Sequence, residues 1–213
     1  MCSKNRPKIA NYLKCYIILE TDFLKLPLDE FILQCYEAGA RAFQLRNKYK
    51  TARENYLIGL EIKKILNNKD ALFIVNDRVD LAIVLEADGV HLGVKDIPAK
   101  VVKEKYPNLI IGYSCNTESD IRYANDIPAD YIGIGPAFQT NTKEDLRPVL
   151  SKDDYINLIK KANMPAVAIG GIKGYNISNF NNIEIDGFAI SSYICASKKP
   201  FEKVKEILSF YNG

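Results

Sequence analysis

Two aspartates and one asparagine occupy positions in this sequence where side chains often carry chemistry. Asn76 and Asp77 directly follow an apolar run at residues 71–75, and Asp96 lies just beyond a second run at residues 89–92. Short apolar runs of this kind are typical of buried parallel strands, whose carboxyl ends face a common site. Mg²⁺ is usually held by one or two carboxylates, with substrate phosphates completing its coordination shell. The pattern therefore predicts that Asp77 and Asp96 bind Mg²⁺ beside a phosphorylated substrate.

An amide and two basic side chains follow the second predicted strand. Gln44, Arg46 and Lys48 alternate in sequence, so in extended backbone they project to the same side. One amide and two cations at one point are suited to binding a phosphate or a diphosphate. Taken alone, the segment is explained equally well by a solvated basic turn.

The later strand ends supply hydroxyl groups, glycines and a further cation. The residues concerned are Ser114, Thr140, Thr142, Lys143, Gly170, Gly171, Ser191 and Ser192. Glycines after the seventh strand and a serine pair after the eighth match the usual phosphate site of an α/β barrel, where backbone N–H groups and a short helix N-terminus bind the anion.

The elements that must position these residues alternate between strands and helices. Strand-like runs cover residues 15–19, 42–45, 72–75, 89–92, 109–112, 131–134, 166–169 and 187–190. Segments with helical periodicity cover residues 29–38, 52–67, 98–105, 117–126, 151–162 and 200–211, with a short one at 78–86 and a weak one at 174–180. Eight such repeats predict a (β/α)₈ TIM barrel. A doubly wound sheet is the alternative, but no Gly-x-Gly-x-x-Gly follows the first strand.

Composition sets the broader class of protein. With 213 residues, of which 47% are hydrophobic, the chain is expected to form a single domain, with residues 1–14 as a short helical or irregular N-terminal extension. The net charge of +3 argues against a dedicated nucleic-acid binder. The five cysteines show no paired spacing, which favours reduced thiols in the cytoplasm. We expect no signal peptide and no membrane-spanning segment.

Five blocks of this sequence resemble the thiamine-phosphate synthase family, which shares a superfamily with thiazole tautomerase. The blocks are Gln-x-Arg-x-Lys at residues 44–48, Asn-Asp-Arg-x-Asp-x-Ala at 76–82, Asp-Gly-Val-His-Leu-Gly-x-x-Asp at 88–96, Gly-x-Gly-Pro-x-Phe-x-Thr-x-Thr-Lys at 133–143 and Ala-Ile-Gly-Gly-Ile at 168–172. They occur in order across roughly residues 15–195, which makes the resemblance specific.

The resemblance implies a reaction, a cofactor and partners. The family joins hydroxymethylpyrimidine diphosphate to hydroxyethylthiazole phosphate and releases thiamine phosphate and diphosphate. Its chemistry is dissociative, because the diphosphate leaves first and the thiazole nitrogen then captures a pyrimidine cation. The resemblance implies Mg²⁺ as the cofactor, two small-molecule substrates and a homodimer. The composition, rather than the resemblance, predicts a cytoplasmic protein that binds neither nucleic acid nor membrane.

The resemblance also implies a role for each candidate residue. Asp77 and Asp96 would hold Mg²⁺. The diphosphate would be bound by Arg46, Lys48, Asn76, Ser114 and Lys143, of which Arg46, Ser114 and Lys143 would be the catalytic groups. Gln44 would lie beside the pyrimidine. The thiazole phosphate would be held by Thr140, Thr142, Gly171, Ser191 and Ser192.

Structural interpretations compete with several of these roles. Asp77 could cap a helix at residues 78–86, and Asp96 could cap a helix near Pro98. His91, the sole histidine, is expected to be a hydrogen-bonded structural residue. Cys115 is expected to be a bystander, because no neighbouring residue in the sequence would lower its pKa.

The chain departs from the family pattern at two positions. Asn116 replaces a histidine that the resemblance associates with proton transfer in the tautomerase, and Tyr193 replaces a small residue after the eighth strand. Three functions stay open from the sequence. They are a thiamine-phosphate synthase, a thiazole tautomerase that needs no Mg²⁺, and a non-catalytic relative that binds a thiamine precursor.

Overall fold

Eight parallel strands close into a barrel in the computed structural model, which describes residues 6–139 and 147–211. The strands are β1 Cys15–Leu19, β2 Ala42–Leu45, β3 Leu72–Asn76, β4 Gly89–Leu92, β5 Ile110–Cys115, β6 Tyr131–Ile134, β7 Ala166–Ile169 and β8 Gly187–Ile190. Each strand pairs with its neighbours in sequence, and β1 also pairs with β8. The closed order confirms the predicted (β/α)₈ barrel and excludes the doubly wound sheet.

Helices surround the barrel. They are α1 Arg6–Leu13, α2 Leu28–Ala38, α3 Ala52–Leu66, α4 Val79–Val84, α5 Ala99–Lys105, α6 Glu118–Asp126, α7 Lys152–Lys161, α8 Ser192–Cys195 and α9 Pro200–Leu208. Three short 3₁₀ segments cover Thr21–Phe23, Gly174–Phe180 and Ser209–Tyr211. The connection from β7 to β8 is therefore 3₁₀ rather than α-helical, as expected for a segment rich in asparagine and glycine. Among the described helices, none has the length and hydropathy needed to cross a membrane.

Three of the helices begin at reciprocal side-chain caps. Thr51 caps α3, Thr117 caps α6 and Ser151 caps α7, and in each case an acidic residue three positions later accepts a hydrogen bond from the backbone N–H of the capping residue. Such capping boxes satisfy N–H groups that the first helical turn leaves unpaired. They fix where each helix starts, and therefore the length of the loop that precedes it at the carboxyl end of the barrel.

Apolar side chains fill both sides of the strand wall. One set packs between the strands and the helices. A second set lies inside the barrel and consists of Leu13, Tyr16, Ile18, Ala42, Ile74, Tyr131, Val167 and Ala189. The barrel is thus a packed core rather than a pore. Polar side chains that could contact a substrate are therefore expected at the carboxyl ends of the strands and in the loops that follow them.

Candidate active site

A cavity of about 240 Å³ opens at the carboxyl ends of β2 and β3. Its lining includes Arg46, Lys48, Asn76 and Asp77, which the sequence assigns to diphosphate and metal binding. These two cations, one amide and one carboxylate therefore face one space, which Lys50 and Arg78 also line. This arrangement favours the anion-site interpretation of residues 44–48 over a solvated basic turn.

Arg46 is buried and held in place by the carboxylate of Glu20, the residue that follows β1. Its Nη1 lies 2.7 Å from Oε1 of Glu20, and the Ser191 hydroxyl donates to the same oxygen over 3.0 Å. Glu20 therefore connects the ends of β1, β2 and β8. The sequence assigns Glu20 no role, although an acidic residue at the end of the first strand was a visible signal.

Asp77 adopts a backbone conformation that turns its carboxylate towards the cavity. Its φ is +61°, and its N–H donates to the carbonyl of His91 over 2.9 Å. The residue at the cap position of α4 is Arg78, so the alternative in which Asp77 caps this helix is wrong. The Lys48 ammonium lies 3.8 Å from Asp77 Oδ2.

Asp96 is fixed by the loop after β4. Its Oδ2 accepts a hydrogen bond from the N–H of Gly93 over 2.7 Å. The cap position of α5 is occupied by Pro98 without a side-chain cap, so the alternative in which Asp96 caps that helix is also wrong. Asp96 instead lies close enough to Asp77 for its negative charge to raise the pKa of Asp77, so the two carboxylates form a pair.

The environment of the carboxylate pair is suited to a cation. Burial raises the pKa of Asp77, the negative charge of Asp96 raises it further, and Lys48 lowers it. A bound cation would offset the repulsion that Lys48 compensates only in part. Among the described residues, no group of three or more histidine, cysteine, aspartate or glutamate side chains could hold a metal ion. Two carboxylates alone leave most of a hard cation's shell to water and phosphate oxygens, as is usual for Mg²⁺.

Gln44 and Ser114 are joined through the barrel interior by three other side chains. The Gln44 amide lies 2.6 Å from the Tyr16 hydroxyl, which lies 2.7 Å from the Tyr131 hydroxyl. His91 Nδ1 lies 3.1 Å from the Tyr131 hydroxyl, and its Nε2 lies 2.9 Å from Ser114 Oγ. We call these five residues the interior network. His91 is buried within it, in the hydrogen-bonded setting expected from the sequence, whereas the sequence assigned no role to either tyrosine.

The predicted thiazole-phosphate side of the site is formed by the loops after β6, β7 and β8. Gly171 has a φ of +66°, and a Cβ there would lie 2.8 Å from Cβ of Phe138 and 2.9 Å from the carbonyl oxygen of Gln139. Only glycine permits this close approach. Ser191 precedes the short helix α8, and Ser192 is exposed at its start. Thr140, Thr142 and Lys143 lie outside the described residues.

The segments on both sides of residues 140–146 are anchored to the barrel. The Asn116 side-chain amide donates to the carbonyls of Gly135 and Pro148 over 2.8 and 3.2 Å. Arg147 pairs with Asp120. Burial raises the pKa of Asp120, but hydrogen bonds from the Asn116 N–H, Thr117 and Arg147 outweigh burial and hold that pKa below its usual value. Asn116 thus links the backbone before residues 140–146 to the backbone after them.

The other departure from the family pattern points away from the site. The Tyr193 hydroxyl donates to Glu206 over 2.8 Å and accepts from Lys203 over 2.7 Å, so its ring packs against α9. The larger side chain is therefore accommodated against α9 rather than in the loop that is predicted to bind the thiazole phosphate. Cys115 is buried, and burial raises the pKa of its thiol, in line with its expected role as a bystander.

The fold and the site together define a (β/α)₈ barrel with a pocket lined by basic, amide and acidic side chains at the carboxyl ends of its strands. Residues 15–194 match the family described as thiamine monophosphate synthase. The chain belongs to this family.

Individual relatives agree with this assignment. A thiamine-phosphate synthase from Methanococcus maripaludis is 37% identical over 209 residues, covering 96% of this chain and 99% of that protein. One from Pyrococcus furiosus is 38% identical over 203 residues, covering 94% and 97%. The solved structure of a thiamine phosphate pyrophosphorylase from Pyrococcus furiosus superposes with a TM-score of 0.85 at 35% identity, covering 96% of this chain and all of that one. A 3-hexulose-6-phosphate synthase has a TM-score of 0.70 at 14% identity, which is a likeness of fold alone.

Proposed function

We propose that this chain condenses hydroxymethylpyrimidine diphosphate with hydroxyethylthiazole phosphate by a dissociative, Mg²⁺-assisted reaction. The C–O bond between the pyrimidine methylene group and the diphosphate breaks first, and its electron pair leaves with the diphosphate. The thiazole nitrogen then donates its lone pair to the resulting cation and forms the new C–N bond. The products are thiamine phosphate and diphosphate. The charge of the thiazolium product replaces that of the cation, so no proton needs to be transferred.

The observation that carries the proposal is the shared cavity at the ends of β2 and β3. Arg46, Lys48, Asn76 and Asp77 line it together, within a chain whose relatives of 37–38% identity are thiamine-phosphate synthases. A dissociative reaction requires stabilisation of a leaving anion rather than a protein nucleophile. The cavity provides this kind of stabilisation.

Each side chain contributes to binding and stabilising the leaving group. Arg46 offers a planar guanidinium whose orientation is fixed by Glu20, so its remaining N–H groups can donate to phosphate oxygens. Lys48, half exposed beside Asp77, can turn towards an incoming diphosphate. Asn76 and Ser114 add neutral donors. Lys143 is proposed as a further cation for the diphosphate, and Thr140 and Thr142 as hydroxyls for the thiazole phosphate.

Asp77 and Asp96 are the residues that would hold Mg²⁺. When bound, the ion neutralises charge on the diphosphate and makes it a better leaving group. The raised pKa of Asp77 supports this assignment, because burial and the negative charge of Asp96 both disfavour the ionised carboxylate, which a bound cation would stabilise.

The test is an assay for thiamine phosphate with both substrates, in Mg²⁺ or in EDTA. We expect product only with Mg²⁺, and a loss of turnover by orders of magnitude in Asp96→Ala. The matched control is Asp80→Ala, which removes an exposed carboxylate that pairs with Arg78 and does not itself line the cavity. Absence of product from folded wild-type protein, or equal activity in EDTA, would overturn the proposal.

We also propose that the protein acts as a homodimer in the cytoplasm. Cys15, Cys35, Cys115 and Cys195 are free and buried, which supports a reducing compartment. Light scattering coupled to size exclusion tests the dimer, and a mass near 24.0 kDa in solution would rule it out.

A further inference from the structure

We propose that the interior network has one fixed donor direction, from Gln44 to Ser114, and that His91 is a positioning residue that turns the Ser114 hydroxyl proton towards the substrate. The kinetic consequence rests on the proposed function, whereas the direction itself does not. No proton is transferred along the network. Only the atom that carries the hydrogen in each hydrogen bond is fixed.

The direction follows from counting donors among the five groups. The Gln44 amide nitrogen can only donate, so the Tyr16 oxygen accepts from it. The Tyr16 hydroxyl then donates to the Tyr131 oxygen, and the Tyr131 hydroxyl donates to Nδ1 of His91. A neutral imidazole that accepts at Nδ1 carries its proton on Nε2.

The last step determines the state of the serine. Because Nε2 of His91 donates, Ser114 Oγ accepts, over a distance of 2.9 Å. The Ser114 proton is therefore available for a second partner. Ser114 lies near the carboxyl end of β5, on the side of the barrel where the diphosphate would depart in the proposed reaction. The network thus holds a neutral donor in the orientation that developing negative charge requires.

The reverse direction leaves an interior hydroxyl without an acceptor. If His91 donated from Nδ1 to Tyr131, then Tyr131 would donate to Tyr16, whose oxygen would accept from both Tyr131 and Gln44. The Tyr16 proton would then have no acceptor among the hydrogen bonds of the described residues. Tyr16 and Tyr131 are 1% and 0% exposed, so water could not replace that acceptor.

The surrounding strands leave space for this arrangement. A Cβ at Gly112 would lie 2.2 Å from Cζ of Tyr131 and 2.5 Å from Nδ1 of His91. Gly112 pairs with Tyr131 on one side and with His91 on the other. Glycine at this position therefore lets the Tyr131 and His91 side chains meet inside the barrel.

The direct test is the tautomer of His91, which is the only histidine in the sequence. Protein carrying ¹⁵N-histidine and no histidine tag gives one imidazole in a long-range ¹H–¹⁵N spectrum. At neutral pH we expect the pattern of the Nε2–H tautomer. An Nδ1–H tautomer or an imidazolium would overturn the proposal, whether or not the protein turns substrates over.

Variants then separate positioning from packing. Tyr131→Phe removes the hydroxyl that donates to Nδ1. We expect a mixed tautomer and a fall in kcat of roughly five- to tenfold, with KM for the pyrimidine diphosphate within about twofold of wild type. The matched control is Tyr155→Phe, since that buried hydroxyl donates to the carbonyl of Ile134 outside the network. It should leave both the tautomer and kcat unchanged.

A pair of substitutions at His91 gives a second, independent readout. The His91→Gln amide places a donor near the position of Nε2, whereas the His91→Asn amide lies near that of Nδ1. We expect Gln to retain more kcat than Asn. Equal kcat in the two variants, or an unchanged tautomer in Tyr131→Phe, would overturn the proposal. The expected tautomers in a protein that forms no thiamine phosphate would leave the donor direction standing and refute the proposed function instead.

Discussion

Replacing Asp96 with asparagine should change the stability of the protein in opposite directions with and without a metal complex. The substitution removes a negative charge from beside Asp77 but preserves the shape of the side chain. Two unit charges 4 Å apart repel by about 1 kcal/mol in water and about 4 kcal/mol at an effective dielectric constant of 20. The Asp77 side chain is 32% exposed and Lys48 lies nearby, so the lower end of that range applies. We therefore expect Asp96→Asn to raise the free energy of unfolding in EDTA by about 1 kcal/mol.

The metal complex should reverse the order of the two proteins. Mg²⁺ with inorganic diphosphate should stabilise the wild type by about 2.7 kcal/mol at 100 times the dissociation constant. The same mixture should stabilise Asp96→Asn far less, because one of the two metal ligands has become a neutral amide.

Urea unfolding in EDTA and in Mg²⁺-diphosphate measures both effects, with Asp80→Asn as the control. Asp80 is an exposed carboxylate that pairs with Arg78, so its substitution should leave the response to Mg²⁺-diphosphate unchanged. A variant less stable than wild type in EDTA would contradict the repulsion argument. A variant stabilised as strongly as wild type by the metal complex would refute Asp96 as a ligand.

Three further predictions concern the supports of the site. Glu20→Gln removes the charge that orients Arg46 and should raise KM for the pyrimidine diphosphate several-fold and lower the free energy of unfolding by about 1–2 kcal/mol; an unchanged KM would contradict the orienting role. Asp120→Asn should be less stable than wild type at pH 7. Because the pKa of Asp120 is lowered in the folded state, the stability difference should hold above the unfolded pKa of about 3.9 and shrink as the pH falls below it in urea titrations; a constant difference would contradict this. Gly112→Ala should cost about 1–3 kcal/mol, whereas Gly133→Ala, whose added Cβ would lie no closer than 3.4 Å to a neighbouring atom, should cost less; equal losses of stability would contradict the close packing.

The fold could be predicted from the sequence because each strand is a short apolar run bounded by polar or glycine residues. The predicted strand at residues 109–112 covers the smallest part of its observed strand, since β5 continues to Cys115 and includes Ser114. A polar residue inside a strand breaks the apolar pattern that identifies the strand. In this case the break marks a side chain of the candidate site.

The candidate site could be predicted only where its residues follow their own strands. Tyr16 and Tyr131 are 115 positions apart, and their contact depends on the register around the whole barrel. Glu20 and Ser191 are separated by 171 positions for the same reason. The capping alternatives for Asp77 and Asp96 could not be decided either, because helix starts shift by one or two residues and only the backbone geometry shows which residue occupies the cap.

The bridge from Glu20 to Arg46 and Ser191 has a consequence for synthesis of the protein on the ribosome. Arg46 is synthesised 26 residues after Glu20, whereas Ser191 is synthesised 171 residues after it. At about 5–20 residues per second, roughly 7–30 s separate the two events. During that interval β1 lacks β8, so the growing polypeptide exposes an unpaired strand edge that chaperones or other nascent chains could occupy. Substrate binding cannot assist folding before this point, because Ser191 donates to Glu20 only after β8 has closed the barrel.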